Sequence, residues 1–69
     1  MKFVLAKNIS EYKKWVIVNK KTPLVYKYVK GVDDIRGLVN PEVIYLGGCR
    51  LNENYDKNFW MQLDLTFRL

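Results

Sequence analysis

The sequence predicts a small α/β fold: a single domain over residues 1–69, with three short parallel strands, one long helix and one short helix. Short apolar runs alternate with segments of helical pattern, which is the order expected of βαβ units in one sheet. The linking segments are short, so consecutive elements can pack beside each other through right-handed crossovers. A chain of 69 residues has room for only one thin core, which excludes a second domain.

The first strand and the long helix come from residues 3–20. Phe3 to Ala6 is a continuous apolar run of strand length. Ser10 is the predicted N-cap of a helix over residues 10–20, and Glu11 complements the positive end of its dipole. Four residues at the spacing i, i+3, i+4, i+7 share one face of this helix: Tyr12, Trp15, Val16 and Asn19. A hairpin that turns at residues 19–23 is the alternative, since "WVIV" is rich in β-branched residues.

Two further strands and the short helix follow. Pro23 ends the preceding element, and "LVYKYV" at residues 24–29 predicts the second strand. The segment "GVDDIRGL" predicts the short helix, with acidic residues in its first turn and Gly37 closing it in a left-handed conformation. Residues 42–46, "EVIYL", predict the third strand, which Gly47 and Gly48 end sharply.

The C-terminal segment fits two structures. From residue 60 to residue 69, apolar and polar residues alternate with a period of two, which favours an added edge strand. The alternative is a covering helix that begins after Asp56, because the βαβ order leaves one face of the sheet in need of cover.

Residues 33–46 resemble the segment that precedes the Walker B strand in phage terminase and helicase-type P-loop ATPases. The resemblance rests on the Arg36–Gly37 pair and on the apolar strand of residues 42–46. In that family a metal-binding and a water-activating carboxylate would follow, but here Gly47 and Gly48 occupy those positions. The chain also contains no G-x-x-x-x-G-K-[ST] loop, so the resemblance implies strand geometry and not ATP hydrolysis.

Composition argues against catalysis and predicts no cofactor and no metal site. The chain has no His, which excludes a Ser-His triad and the commonest metal ligand. Cys49 is the single cysteine and lies beside Arg50, but no general base or second thiol is available to it. Asp33 and Asp34 are adjacent on a predicted helix and point about 100° apart, unlike a shared-proton dyad.

The same composition predicts a cytoplasmic protein without a membrane partner. A lone thiol fits a reducing compartment, and the initial apolar run of four residues is too short for a signal sequence. No apolar stretch approaches the roughly 20 residues that span a bilayer. An abundance of Lys, Asn and Tyr is typical of AT-rich coding, as in low-GC bacteria or their phages, and a phage-encoded protein would lie in the host cytoplasm.

The leading functional hypothesis is a non-enzymatic protein that binds a larger protein or itself, as an inhibitor, an adaptor or a self-assembling subunit. A thin core cannot bury every aromatic side chain of a chain that is 14% aromatic. Exposed Trp and Tyr dominate interface energetics. The predicted protein-interface residues are Tyr55, Phe59 and Trp60.

Charge suggests a first alternative, sequence-independent binding of nucleic acid. Residues 1–30 contain eight lysines and one acid, for a net +7, whereas residues 31–69 have a net −2. Lysines would neutralise phosphates and tyrosines would stack on unpaired bases. The predicted residues are Lys13, Lys14, Lys20, Lys21, Lys27, Lys30, Tyr26 and Tyr28.

The second alternative is a small phosphate-bearing ligand at the carboxyl ends of the strands, where parallel sheets bind ligands. Cationic side chains and glycine N–H groups at the three strand exits would form an anion cradle. The predicted residues are Lys7, Lys30, Gly47, Gly48 and Arg50.

Overall fold

The computed structural model describes residues 2–67, and every structural statement below refers to them. The main elements are β1 (Lys2–Leu5), α1 (Ile9–Val18), β2 (Tyr26–Tyr28), β3 (Glu42–Tyr45) and α2 (Lys57–Thr66). Single 3₁₀ turns lie at Val32–Asp34 and Cys49–Leu51. Within residues 2–67, no helix has the length and apolar character to cross a membrane.

The three strands form one parallel sheet in the order β2-β1-β3, which confirms the predicted fold class. Val4 in the central strand pairs with Tyr28 on one side and with Ile44 on the other. Side chains alternate between the two faces of a strand, so these three residues share one face. Phe3 lies on the opposite face.

Helix α1 covers the face of the sheet that contains Val4. Tyr12 and Val16, one turn apart, pack against Val4 and Tyr28 in a buried cluster. The helix expected over residues 10–20 is therefore confirmed, and the hairpin alternative is wrong. Packing of one apolar stripe on the sheet outweighs the low helix propensity of the β-branched "WVIV" segment.

The ends of α1 differ from the prediction by one or two residues. The N-cap is Asn8 and not Ser10, because the Asn8 side-chain oxygen accepts a hydrogen bond of 2.9 Å from the Glu11 N–H. At the other end, Lys20 adopts a left-handed φ of 52°. The Lys20 N–H donates to Ile17 O and the Lys21 N–H donates to Val16 O, the pattern of a Schellman cap in which glycine is the usual residue.

The opposite face of the sheet is covered by α2 and by the segment between β2 and β3. The connection from β1 to β2 runs in one direction across the sheet, and the connection from β2 to β3 runs back in the other direction. Two crossovers that are both right-handed but run in opposite directions lie on opposite faces of the sheet. The result is three layers, with the sheet between two covers. The second buried cluster consists of Leu5, Val29, Ile35, Cys49, Tyr55, Phe59 and Leu63.

The edge strand expected over residues 60–69 is wrong for its described part, which belongs to α2; residues 68 and 69 lie outside the described range. Asp56 is the N-cap, and its carboxylate accepts a hydrogen bond of 2.9 Å from the Phe59 N–H. The buried positions Phe59, Leu63 and Thr66 follow helical spacing. Period-two alternation gave the wrong element because the sheet face beneath needed a cover with a period of 3.6 residues.

Candidate functional site

The three parallel strands end at one edge of the sheet, formed by residues 6–8, 29–31 and 46–54, which we call the carboxyl rim. Neighbouring strands β1 and β3 lead to helices on opposite faces, α1 and α2. Such a divergence is the topological switch point at which open α/β sheets bind ligands.

A shallow cleft of about 620 Å³ lies at the carboxyl rim. Of the five residues predicted for a phosphate site, Lys7 and Lys30 line it, while Gly47, Gly48 and Arg50 do not. The expected cradle is thus only partly assembled. Its other lining residues come from the start of α1, the end of β2 and the turn after β3: Asn8, Ile9, Tyr28, Leu51, Asn52, Glu53 and Asn54.

Asn52 is a buried, hydrogen-bonded polar group of this cleft and was not among the predicted site residues. It is buried, and its side-chain amide donates to Ala6 O at 2.8 Å and to Tyr28 Oη at 2.9 Å. Its side-chain oxygen accepts from the Asn54 N–H at 2.8 Å. The sequence signal for such a turn is the "NEN" spacing, in which an Asn bonds to the backbone two residues on.

Positive charge dominates the rim cleft. Among residues 2–67, neither Lys7 nor Lys30 has a carboxylate within 4.0 Å of its ammonium group, although Glu53 also lines the cleft. The start of α1 adds the positive end of a helix dipole. A second hollow of about 510 Å³ adjoins Lys30 and contains Asp33 and Asp34, so the positive region ends there.

Arg50 and Gly48 have other roles. The Arg50 guanidinium lies 4.8 Å from the ring centroid of Trp60, a cation–π contact on the α2 side of the sheet. Gly48 has a φ of 80°, and a side chain there would come within 3.8 Å of Lys7 Cβ. A contact of 3.8 Å is ordinary packing, so the left-handed φ, rather than a lack of space, favours glycine at this position.

The predicted protein-interface residues are largely inside the core, which corrects their assignment as exposed anchors. Phe59 is fully buried, Tyr55 is 4% exposed, and their rings stack at 4.2 Å. The Tyr55 hydroxyl donates to Val29 O, and burial raises the pKa of that phenol. Trp60 is half-buried and meets both rings edge-on. These side chains hold α2 on the sheet.

The predicted nucleic-acid residues do not form one face. Tyr28 is buried, and the half-buried ring of Tyr26 packs edge-on against Trp15 at 5.6 Å, so neither ring is free to stack on bases. Lys27 lies on the α2 side of the sheet, 3.9 Å from Asp34. Lys30 is at the carboxyl rim. The remaining predicted lysines are exposed on α1 and the turn that follows it: Lys13, Lys14, Lys20 and Lys21.

A surface that the sequence reasoning missed lies at the opposite edge of the sheet, where α1 ends and β2 begins. Exposed aliphatic residues precede and follow a turn that carries two lysines. Leu24 is 85% exposed, Ile17 76% and Val18 70%. We call this surface the basic apolar end, and it comprises Lys13, Lys14, Ile17, Val18, Lys20, Lys21, Leu24 and Val25.

Comparison of the chain with protein-family models, with curated proteins and with solved structures gave no match. Within residues 2–67, no group of three or more His, Cys, Asp or Glu side chains is arranged to hold a metal ion.

Proposed function

We propose that this protein is a non-enzymatic binding protein that docks on another protein through its basic apolar end. The observation that supports the proposal is the exposure of Ile17, Val18 and Leu24 on adjoining segments. Single exposed apolar residues are common, but contiguous apolar patches rimmed by polar residues mark interaction sites in soluble proteins.

The backbone of this surface is held by hydrogen bonds rather than left as a free loop. The Schellman cap fixes the end of α1, and the Val25 and Tyr26 N–H groups both donate to Thr22 O. The Lys2 N–H donates to Val25 O, which ties the turn to the central strand. A surface that is already ordered loses less conformational entropy on binding, so the same contacts give higher affinity.

The test is affinity capture from a lysate with two matched double variants. Val18→Ser/Leu24→Ser removes apolar side chains from the basic apolar end, whereas Met61→Ser/Leu65→Ser removes exposed ones from α2. We expect the wild type and the α2 variant to retain a partner that the first variant loses, with all three folded by circular dichroism. Retention of the same proteins by all three would overturn the proposal.

Self-assembly is measured in the same samples by light scattering during gel filtration. A stable oligomer that dissociates only in the Val18→Ser/Leu24→Ser variant would identify the partner as a second copy of this chain. A monomer would leave a different protein as the partner.

A second candidate function is binding of a small phosphate-bearing ligand in the rim cleft. The observation that favours it is that Lys7 and Lys30, from two successive strand exits, line the same cleft without a paired carboxylate among the described residues. Two ammonium groups beside a helix N-terminus would attract a dianion.

Thermal unfolding with a panel of nucleotides and inorganic phosphate tests this candidate, because a ligand that binds only the folded state raises the midpoint. We expect a rise in the wild type and in Lys57→Ala, an exposed lysine of α2, but not in Lys7→Ala/Lys30→Ala. An unchanged midpoint of the wild type across the panel would exclude the candidate.

A further inference from the structure

We infer that the segment docking on the basic apolar end is an acidic amphipathic helix of a partner protein, with apolar and carboxylate side chains on one face. The inference rests on the proposed function, whose surface it uses. It adds the chemistry of the partner, argued from the charges of this surface and from their spacing.

The basic apolar end has no negative charge of its own. From Tyr12 to Lys30 the chain contains six lysines and no Asp or Glu. The nearest acid on α1, Glu11, lies six residues before Ile17, about 9 Å away along the helix axis. At the start of β3, Glu42 lies 3.7 Å from Lys2 and is compensated by it. A partner must therefore supply the carboxylates.

Cations and apolar side chains are interleaved on this surface at helical spacing. On α1, Lys13 lies one turn before Ile17, and Lys14 lies one turn before Val18. In the next turn, Lys20 and Lys21 separate these apolar residues from Leu24. A helix with Leu and Glu at positions three and four apart matches this arrangement, because each leucine then has a carboxylate one turn away.

The Lys21 side chain is held in place by a contact with an aromatic ring. Its ammonium group lies 5.2 Å from the ring centroid of Tyr26, and Lys2 lies 5.4 Å from the same ring. That ring is in turn held by Trp15. Cation–π contact limits the rotamers of Lys21, so less side-chain entropy is lost when a carboxylate pairs with it.

Other anionic partners fit this surface less well. Single-stranded nucleic acid binds through aromatic stacking, but Tyr26 and Trp15 are packed on each other and the exposed side chains are aliphatic. An interfacial helix inserts a broad apolar face into an anionic membrane, whereas the apolar face of α1, with Tyr12 and Val16, is already packed on the sheet.

The experiment uses fluorescein-labelled model peptides and measures fluorescence anisotropy. The probe is a helical peptide of about 14 residues with Leu and Glu on one face, and the matched peptides replace Leu by Ser or Glu by Lys. We expect only the Leu/Glu peptide to bind. Its Kd should increase about fivefold or more between about 50 mM and 300 mM NaCl, because the charges are exposed and screened by salt.

Variants of the protein locate the binding. Lys20→Glu/Lys21→Glu should weaken binding of the Leu/Glu peptide about tenfold or more, and Val18→Ser/Leu24→Ser should do the same. Lys57→Glu on α2 should leave the affinity unchanged. The variant Lys20→Gly distinguishes the effect of the lost charge from an effect on folding. Glycine suits the left-handed φ of 52°, so the thermal midpoint stays near that of the wild type while peptide affinity falls.

The outcomes separate this inference from the proposed function. Equal binding of the Glu→Lys peptide, no binding of the Leu/Glu peptide, or no effect of Lys20→Glu/Lys21→Glu would overturn the acidic partner. The docking proposal would stand if capture of a protein still depended on Val18 and Leu24. Tighter binding to a mixed-sequence oligonucleotide or to phosphatidylglycerol vesicles than to the peptide would replace the inferred partner by that class.

Discussion

At the scale of single residues, two polar groups tie the C-terminal third of the chain to the sheet. Asn52 links the turn after β3 to the end of β1 and to the Tyr28 hydroxyl. Tyr55 places its hydroxyl on Val29 O, just after β2. Both groups are buried and both are satisfied, and among the described residues no buried side-chain N or O atom lacks a hydrogen-bond partner. Buried polar contacts of this kind fix one arrangement of the layers.

Burial of Tyr55 predicts a loss of stability in alkaline solution. Its pKa is raised in the folded state above the ordinary value near 10, so the folded state keeps the proton when the unfolded chain releases it. The stabilisation is therefore complete below pH 10 and declines as the pH rises from about 10 toward the raised pKa. Urea unfolding at several pH values should show this decline.

The matched variant for this prediction is Tyr55→Phe, which removes the phenol and its hydrogen bond. We expect a lower stability at neutral pH but a shallower decline above pH 10. Some decline remains, because burial also raises the pKa values of Tyr12 and Tyr45. Equal slopes in the two proteins would show that Tyr55 is not the group responsible.

At the scale of elements, both helices are preceded by a residue whose side chain accepts a hydrogen bond from a backbone N–H of the first turn. Asn8 caps α1 and Asp56 caps α2, each at 2.9 Å from the N–H three residues on. The last turns contain no basic residue to complement the dipole, so the N-terminal caps matter more.

Removal of either cap should lower the free energy of unfolding by about 1 kcal/mol. The variants are Asn8→Ala and Asp56→Ala, measured by urea unfolding. Ser10→Ala is the control, since Ser10 is exposed on the first turn of α1 and is not its cap. A loss from Ser10→Ala as large as that from Asn8→Ala would contradict the assigned start of the helix.

Two leucine variants test whether the C-terminal segment forms helix α2 or a strand. A strand over residues 60–69 would put Leu63 and Leu65 on the same face, whereas α2 buries Leu63 and leaves Leu65 49% exposed. We expect Leu63→Ala to cost about 3 kcal/mol, and Leu65→Ala less than about 0.5 kcal/mol. Urea unfolding distinguishes the two, and similar losses from both would favour the strand.

At the scale of the whole molecule, two buried clusters share the central strand. Val4 and Leu5 are adjacent in β1 but belong to clusters on opposite faces, under α1 and α2 respectively. A chain of 69 residues leaves neither cluster large enough to be stable alone. Loss of one cover would expose one side of β1 and weaken the other side.

The two clusters should therefore unfold together. Trp15 packs on the α1 cluster and Trp60 on the α2 cluster, so each reports one face. In the single-tryptophan variants Trp15→Phe and Trp60→Phe, we expect the fluorescence transition in urea to coincide with the loss of far-ultraviolet circular dichroism. A fluorescence transition that precedes the loss of secondary structure in either variant would show that its face unfolds separately.

The sequence by itself determined the elements whose signals are local. The apolar runs, the helical spacing of Tyr12 and Val16, and the left-handed φ of 85° at Gly37 needed only neighbours along the chain. The short helix that Gly37 was expected to close is only a 3₁₀ turn that ends at Asp34. The parallel order of strands followed from the alternation of those elements. Lys7 and Lys30 were expected at one rim because parallel strands end at the same edge, and the structure places both in one cleft.

Tertiary structure alone decided the rest, since each case depends on a contact distant in the sequence. Residues 57–66 became a helix because the sheet face with Leu5 and Val29 required a cover. Tyr55 and Phe59 were buried beneath it, and Arg50 was drawn to Trp60 rather than to the rim. Trp15 and Tyr26 came together only when α1 folded back to β2. Burial and juxtaposition are set by the packing of layers, and no periodicity within one segment encodes them.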